Sequence, residues 1–483
     1  MDVIDRFLAQ VQNHPDEPAV LDRDSTISYA ELERLARRIA TRLSQLGEHP
    51  RVVINLPQCA EAYAAMLGTL MAGGYYIPLN VSLPEFRKTS IIEQVEPEVF
   101  IGDLGGITFS PQVKERLTAL SLDDLPKDEI VSTRPHAELA YIMFTSGSTG
   151  QPKGVMIKRT GLNGLIDWSI PVNNFGPGDR VGQFSNLGFD FSVYDMYTTL
   201  GSGAALAALG TKKDRFMPAL SIKELGLTVW HSVPSVVDLM SQAKQVTPEN
   251  LKSLRLMTFL GEPLRPQHLE ILFEANPDMT IFNTYGPTEI TVLCTHVAMQ
   301  ADNFTESCDS TVALGDTIPG WRIVLEGGPN EDEGEIVISS EFNALGYWKK
   351  PELTEKVFRT IELDGEVVPA YFTGDWAERV GGKLYFRNRI DRQVKIYGHR
   401  IELDEIDYWV RESGMVNACS VVKDDKIYTF LETTQPVDAE VIRKVIVSRL
   451  PTYAVPAKFI ELSQFPRNQN DKIDVKALAT LLD

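Results

Sequence analysis

The stretch from Thr145 to Gly154 (TSGSTGQPKG) puts three glycines, four hydroxyls and a lysine into ten residues. Glycines let backbone N–H groups curl around an anion, hydroxyls add donors, and a lysine supplies charge, so the composition suits a phosphate. The pattern is not a Walker loop, which reads GxxxxGK[ST] and opens a helix. Here Lys153 precedes Gly154, and the stretch joins two apolar runs, Ala140 to Phe144 and Val155 to Ile157. A flexible polar linker is the plainer alternative. Linkers, however, seldom sit between two apolar strands.

Other residues invite chemistry less openly. Tyr285 stands before a Gly-Pro step and could stack on a base or simply pack in the core. Glu289, beside Thr288, is an oxygen ligand of the kind magnesium takes, although read alone it is a solvated glutamate. Asp375 follows a Thr-Gly turn, and Lys472 sits in a polar loop close to the end of the chain.

The elements that must position these residues alternate. Arg51 to Leu56 and Leu227 to His231 read as strands, whereas Tyr29 to Leu46 carries Leu32, Leu35, Ile39 and Leu43 at helical spacing. Such alternation predicts an α/β architecture. Past residue 330 the texture changes. Short strands at Glu335 to Ser339, Lys383 to Phe386 and Gln393 to Tyr397 are separated by Gly, Asn and Asp, and helices follow at Leu403 to Glu412 and Ala439 to Leu450. The expectation is a large N-terminal α/β domain, residues 1–390, followed by a small α+β domain, residues 391–483.

The net charge of −19 argues against a nucleic-acid surface, which needs clustered cations. Four scattered cysteines with no CxxC spacing fit a reducing cytosol better than a disulfide framework. The acidic N-terminal segment is not a signal peptide. Ala62 to Leu79 is apolar but broken by Gly68, Gly73, Gly74 and Pro78, so it reads as a helix, a turn and a strand rather than a membrane span. These points predict a cytoplasmic protein without membrane attachment.

The glycine-rich stretch resembles the signature of the adenylate-forming superfamily of acyl-CoA synthetases, luciferases and amino-acid adenylation domains. Further signatures recur in order across nearly the whole chain: Ile27 to Leu32, Met71 to Leu79, Asn283 to Glu289, Tyr371 to Asp375, Arg389 to Ile406, Leu450 to Pro456 and Asn470 to Asp474. The resemblance implies that ATP lies along Thr145, Ser146, Gly147, Ser148, Thr149, Gly150 and Lys153, then along Gly261, Glu262, Pro263, Asn283, Thr284, Tyr285, Gly286 and Thr288. It gives Asp375 the ribose hydroxyls and Arg389 a place near them. Glu289 becomes the Mg2+-associated residue, Thr145 a catalytic one, and Asp391 the hinge of a mobile C-terminal domain. Lys472 becomes the cation at the reacting carboxylate, where charge accumulates in the transition state. Here the chain departs from the usual Asn-Gly-Lys by reading Asn470-Asp471-Lys472.

The acid to be activated is read from Phe189 to Asp195. A partly buried ammonium needs an anionic partner, and Asp190 is similar to the aspartate that amino-acid adenylation domains offer the α-amine. A surface or capping aspartate is the alternative. Phe189 would wall the carboxylate. The family pattern lines the side-chain pocket with Phe191, Tyr194, Ser235, Thr258, Leu260, Thr284, Val292 and Leu293. Besides Asp190 and Lys472 no charge enters that set, which points to a small neutral amino acid such as glycine, alanine, serine or threonine. The stretches Val229 to Ser235, Phe259 to Leu264 and Ile281 to Val292 look most like D-alanine–carrier protein ligases, although Leu260 stands where those usually carry a smaller residue. No phosphopantetheine attachment motif is found, so the expected acceptor is the phosphopantetheine thiol of a separate carrier protein. The alternative is an acyl- or aryl-CoA ligase with coenzyme A as acceptor.

Overall fold

The computed structural model describes every residue except 24, 127–135, 148–149, 415–416, 469–472 and 483. Ser148, Thr149 and Lys472 therefore lie outside the described residues. The architecture is mixed α/β, with a large N-terminal part and a smaller C-terminal one.

Two sheets form the frame of the large part. The first has six strands, in spatial order Thr118–Leu120, Val99–Gly102, Arg51–Asn55, Tyr75–Pro78, Leu139–Thr145 and Lys153–Lys158. All neighbours in it run parallel except the last pair. The second sheet has nine strands. Its parallel centre comprises Thr280–Tyr285, Leu256–Phe259, Val229–Ser232, Arg180–Gln183, Ala205–Ala208 and Pro18–Leu21. Strands of such sheets are buried on both faces and read as continuous apolar runs, as Ala140 to Phe144 does.

Local chemistry sets the helix boundaries. Ser28 caps the helix Tyr29–Ser44, and the Glu31 side chain returns the bond to the Ser28 backbone. The buried stripe of that helix is Leu32, Ala36, Ile39 and Leu43. It packs on the helix Ala60–Met71 across Gly68, where a Cβ would lie 2.6 Å from the Ala36 carbonyl oxygen. The apolar stretch Ala62 to Leu79 is thus a buried helix, a turn at Gly73 and the strand Tyr75–Pro78. Among the described residues no helix is long and apolar enough to cross a membrane.

A third, antiparallel sheet of five strands follows, built around the long strand Glu366–Val380. Its register sets Asp375 opposite Arg389 on the strand Lys383–Arg389. Beyond Asp391 comes a two-stranded hairpin, Gln393–Ile396 with His399–Glu402. Next is a three-stranded sheet, Asn417–Lys423, Lys426–Glu432 and Lys458–Leu462. The helices Leu403–Glu412 and Ala439–Arg449 bury Ile406, Val410, Ile442 and Ile446 against one set of its side chains. Phe465 and Leu478 cover Cys419, Val421 and Phe430 in a separate cluster.

The small part is seated on the helix Glu85–Val95 of the large one. Arg87 pairs with Glu405, both almost wholly buried. Phe86 meets Trp409 edge-on with ring centroids 5.5 Å apart, and the Arg449 guanidinium lies 3.9 Å over the Phe86 ring.

Candidate functional site

The carboxyl ends of the parallel strands of both large sheets open toward one cleft, the usual place for a ligand in such sheets. Thr145, Ser146, Asp190, Leu260, Gly261 and Thr288 line it from the large part, Asp375 and Arg389 from the third sheet, and Lys395 to Glu402 from the hairpin. A second hollow adjoins it through Gly261 and Lys395, lined by Glu262, Pro263, Asn283, Thr284 and Tyr285. Residues from Pro78 to Ala454 are thereby brought together.

The glycine-rich stretch is the turn of an antiparallel pair, Leu139–Thr145 with Lys153–Lys158, with Thr145 and Lys153 in register. The Gly147 carbonyl accepts from the Gly150 N–H. The Thr145 Oγ1 is buried without a partner among the described residues, and the Ser146 Oγ donates to the Arg400 carbonyl at 2.7 Å. Lys153 is buried with its ammonium 5.1 Å from the Tyr347 ring centroid. Burial, with repulsion from Arg400, pulls the Lys153 ammonium down to about 8.

Glu289 is fully buried in the short turn Thr288–Ile290, contrary to its solvated reading. The Tyr347 hydroxyl donates to it at 2.8 Å, and one Arg400 nitrogen lies 3.0 and 2.9 Å from its two oxygens. Burial works to raise this carboxyl, but Arg400 and Lys153 outweigh it and hold it down at about 2. A carboxylate favoured in its ionised form is the kind of oxygen ligand Mg2+ takes, one or two carboxylates with phosphate and water completing the shell, and in this structure both of its oxygens face Arg400.

At the nucleotide end, the Tyr285 hydroxyl donates to Asp375 at 2.7 Å. Arg389 pairs with the other Asp375 oxygen and, at 2.7 Å, with Asp391. Asp391 also accepts from the Gln393 N–H, which ties the end of the third sheet to the start of the hairpin. Asn283 donates to the Ala313 carbonyl and Thr284 to the Phe259 carbonyl, so both are anchored to backbone.

Asp190 begins the helix Phe191–Leu200, yet its side chain makes no capping bond. Its carboxylate instead lines the cleft beside Phe189 and Leu260. Burial pushes it up to about 6; the Thr288 hydroxyl opposes the shift and the Glu289 charge adds to it. The Phe189 ring lies 4.9 Å from that of His399 on the hairpin.

Most residues expected to line the side-chain pocket pack closely together. Phe191, Tyr194, Leu260, Val292 and Leu293 form one buried cluster, with none more than 5% exposed. Of these only Leu260 reaches the cleft. Thr258 is buried in its strand. Ser235 is placed elsewhere: it starts the helix Ser235–Gln242, and its N–H donates to Glu262. His231, four positions earlier, packs against the Phe191 and Tyr194 rings. Its ring stacks on Phe191 at 5.7 Å and its Nδ1 lies 2.7 Å from Asp195, both side chains wholly buried. Sequence reading missed it, although a histidine ending the apolar run Leu227 to His231 needs a buried partner. It also missed Arg400 and Glu402. They are two apart on one strand and so share a face, a signal present in the quoted stretch Arg389 to Ile406.

Comparison with known proteins agrees with this geometry. Residues 7–348 match the family model for AMP-binding enzymes. The D-alanine–D-alanyl carrier protein ligase of Bacillus licheniformis is 31% identical, over 99% of each chain. That of Staphylococcus epidermidis is 30% identical over 98% of each. Among solved structures, the Vibrio cholerae adenylation domain AlmE, in complex with glycyl-adenosine-5'-phosphate, superposes with a TM-score of 0.86 at 27% identity, covering 99% of this chain and 97% of that one.

Proposed function

This chain belongs to the AMP-binding enzyme family and is an ATP-using, AMP-forming ligase, and from that premise we propose that it activates a small neutral amino acid, glycine above all, and passes it to the phosphopantetheine thiol of a separate carrier protein. The observation that carries the reading is Asp190, a carboxylate that lines the cleft beside Phe189 and Leu260. It stands where an ammonium would need it, and a fatty or aryl acid would have no use for it. Behind Leu260 the cluster is closely packed, with no pocket-lining member more than 5% exposed, which favours a small side chain. The names of the relatives, two D-alanine ligases and a glycyl-adenylate complex, support a small substrate and a carrier acceptor.

In the first half-reaction a carboxylate oxygen of the amino acid attacks the α-phosphorus of ATP. The bond to the bridging oxygen of pyrophosphate breaks, giving aminoacyl-AMP and pyrophosphate. Thr145, Ser146 and Lys153 hold the phosphates, Asp375 takes the ribose hydroxyls, Tyr285 lies against the base, and Asp190 pairs with the ammonium. Bound Mg2+, held by Glu289 and phosphate oxygens, would neutralise charge on the phosphates. Lys472 is assigned to the developing charge at the reacting carboxylate. In the second half-reaction the thiol, losing its proton, attacks the carbonyl carbon, and AMP leaves. Residues 1–390 act as the core and 391–483 as the moving part, with Asp391 as pivot.

Amino-acid-dependent pyrophosphate exchange tests the proposal. Exchange with glycine is expected, with alanine weaker. No exchange with any L- or D-amino acid would sink it, and CoA-dependent turnover of a non-amino acid, indifferent to Asp190→Ala, would establish the CoA ligase instead.

A further inference from the structure

The hairpin Gln393–Ile396 and His399–Glu402 reaches into the cleft and meets both charges of the phosphate site. Its tip fits because Gly398 lacks a side chain: a Cβ there would stand 2.5 Å from Val233 Cγ1. Arg400 and Glu402, two apart on one strand, face the same way. The Arg400 guanidinium contacts both oxygens of Glu289 at 3.0 and 2.9 Å. The Glu402 carboxylate lies 3.6 Å from the Lys153 ammonium. The Arg400 carbonyl takes the Ser146 hydroxyl, itself a candidate phosphate donor.

A cation thus rests on the carboxylate suited to Mg2+, and an anion on the lysine suited to phosphate. Glu289 and Lys153 are both buried. Burying poorly partnered charge is costly, and once pyrophosphate departs with its cation Lys153 and Glu289 would keep, among the described residues, only each other and the Tyr347 hydroxyl as close partners. We propose that Arg400 and Glu402 are an internal charge plug, standing in for the metal and a phosphate, so that this seating of the hairpin excludes magnesium pyrophosphate and MgATP. The plug rests on the adenylating reading of the cleft. It gives the exchange of the two arrangements a near-balanced electrostatic ledger, because each buried charge keeps a partner in both. A ligand that binds only the unplugged form then shifts the population away from the plugged one.

The test is a distance measurement on the full chain. Fluorophores are placed at cysteines replacing the exposed Val367 and Val441, with Cys59 and Cys308 changed to serine. Magnesium with pyrophosphate, and no amino acid, is expected to lower the plugged-to-unplugged ratio about tenfold or more. Pyrophosphate with EDTA should have a smaller effect. Arg400→Gln should lower the ratio without any ligand, Glu402→Gln should do so less, and Arg400→Lys should restore most of it. Because Arg400→Lys and the near-isosteric Glu402→Gln disturb packing little, they keep the test decisive if Arg400→Gln fails to fold. An unchanged ratio on adding magnesium pyrophosphate, or a wild-type ratio in both glutamine variants, would overturn the plug. Since no amino acid is present, these outcomes are independent of the pyrophosphate-exchange screen that tests the substrate.

Discussion

The Nδ1 of His231 lies 2.7 Å from an Asp195 carboxylate oxygen in a wholly buried pair directly beneath the Phe191 ring. The aromatic cluster around Phe191 and Tyr194 is therefore braced by a polar contact. Asp195→Ala leaves His231 buried without that partner, at a cost of about 1–3 kcal/mol in stability, more if the pair is charged. Urea unfolding should show this as a lower midpoint at unchanged slope.

Leu260 is the member of the packed cluster that reaches the cleft. Leu260→Ala should make room beside the substrate Cα. A methylene in an apolar pocket is worth roughly 10–200-fold in discrimination, so the ratio of kcat/KM for alanine to that for glycine should rise by about tenfold or more. Pyrophosphate exchange with each amino acid measures it.

Asp190 must be ionised to pair with an ammonium, and burial raises its carboxyl to about 6. Protonation below that pH removes the partner. The kcat/KM for the amino acid should therefore fall by about tenfold per pH unit on the acid side of roughly pH 6 and level off above it. Asp190→Asn should weaken amino-acid binding far more than ATP binding and abolish this acid limb.

Lys472→Ala should slow adenylate formation by about 10²-fold, in the range seen on losing an oxyanion donor. Transfer from preformed aminoacyl-AMP to the thiol should be spared. Equal loss in both half-reactions, measured by single-turnover kinetics, would contradict the assignment of Lys472 to the first step alone.

Local features were readable from the chain alone. The turn between Leu139–Thr145 and Lys153–Lys158 follows from two apolar runs flanking glycines, and the helix Tyr29–Ser44, expected to run to Leu46, from the spacing of Leu32, Leu35, Ile39 and Leu43. What depends on register or on the meeting of distant parts was not. The strand Val229–Ser232 is only four residues long, and its register brings His231 against Phe191, which the apolar run alone does not reveal. The burial of Glu289 depends on Tyr347 and Arg400, 58 and 111 residues away, which no local pattern reveals. Arg400 and Glu402 looked like ordinary strand charges until the hairpin was seen against Lys153.

The close packing behind Leu260 also bears on accuracy. An enzyme that selects by size can exclude competitors larger than its substrate but must admit smaller ones, which is why some amino-acid-activating enzymes need a second, hydrolytic sieve. A site shaped to glycine has no smaller amino acid to admit. On the glycine reading proposed above, errors would come only from larger amino acids, which the wall at Leu260 would meet, so loading would need no second sieve.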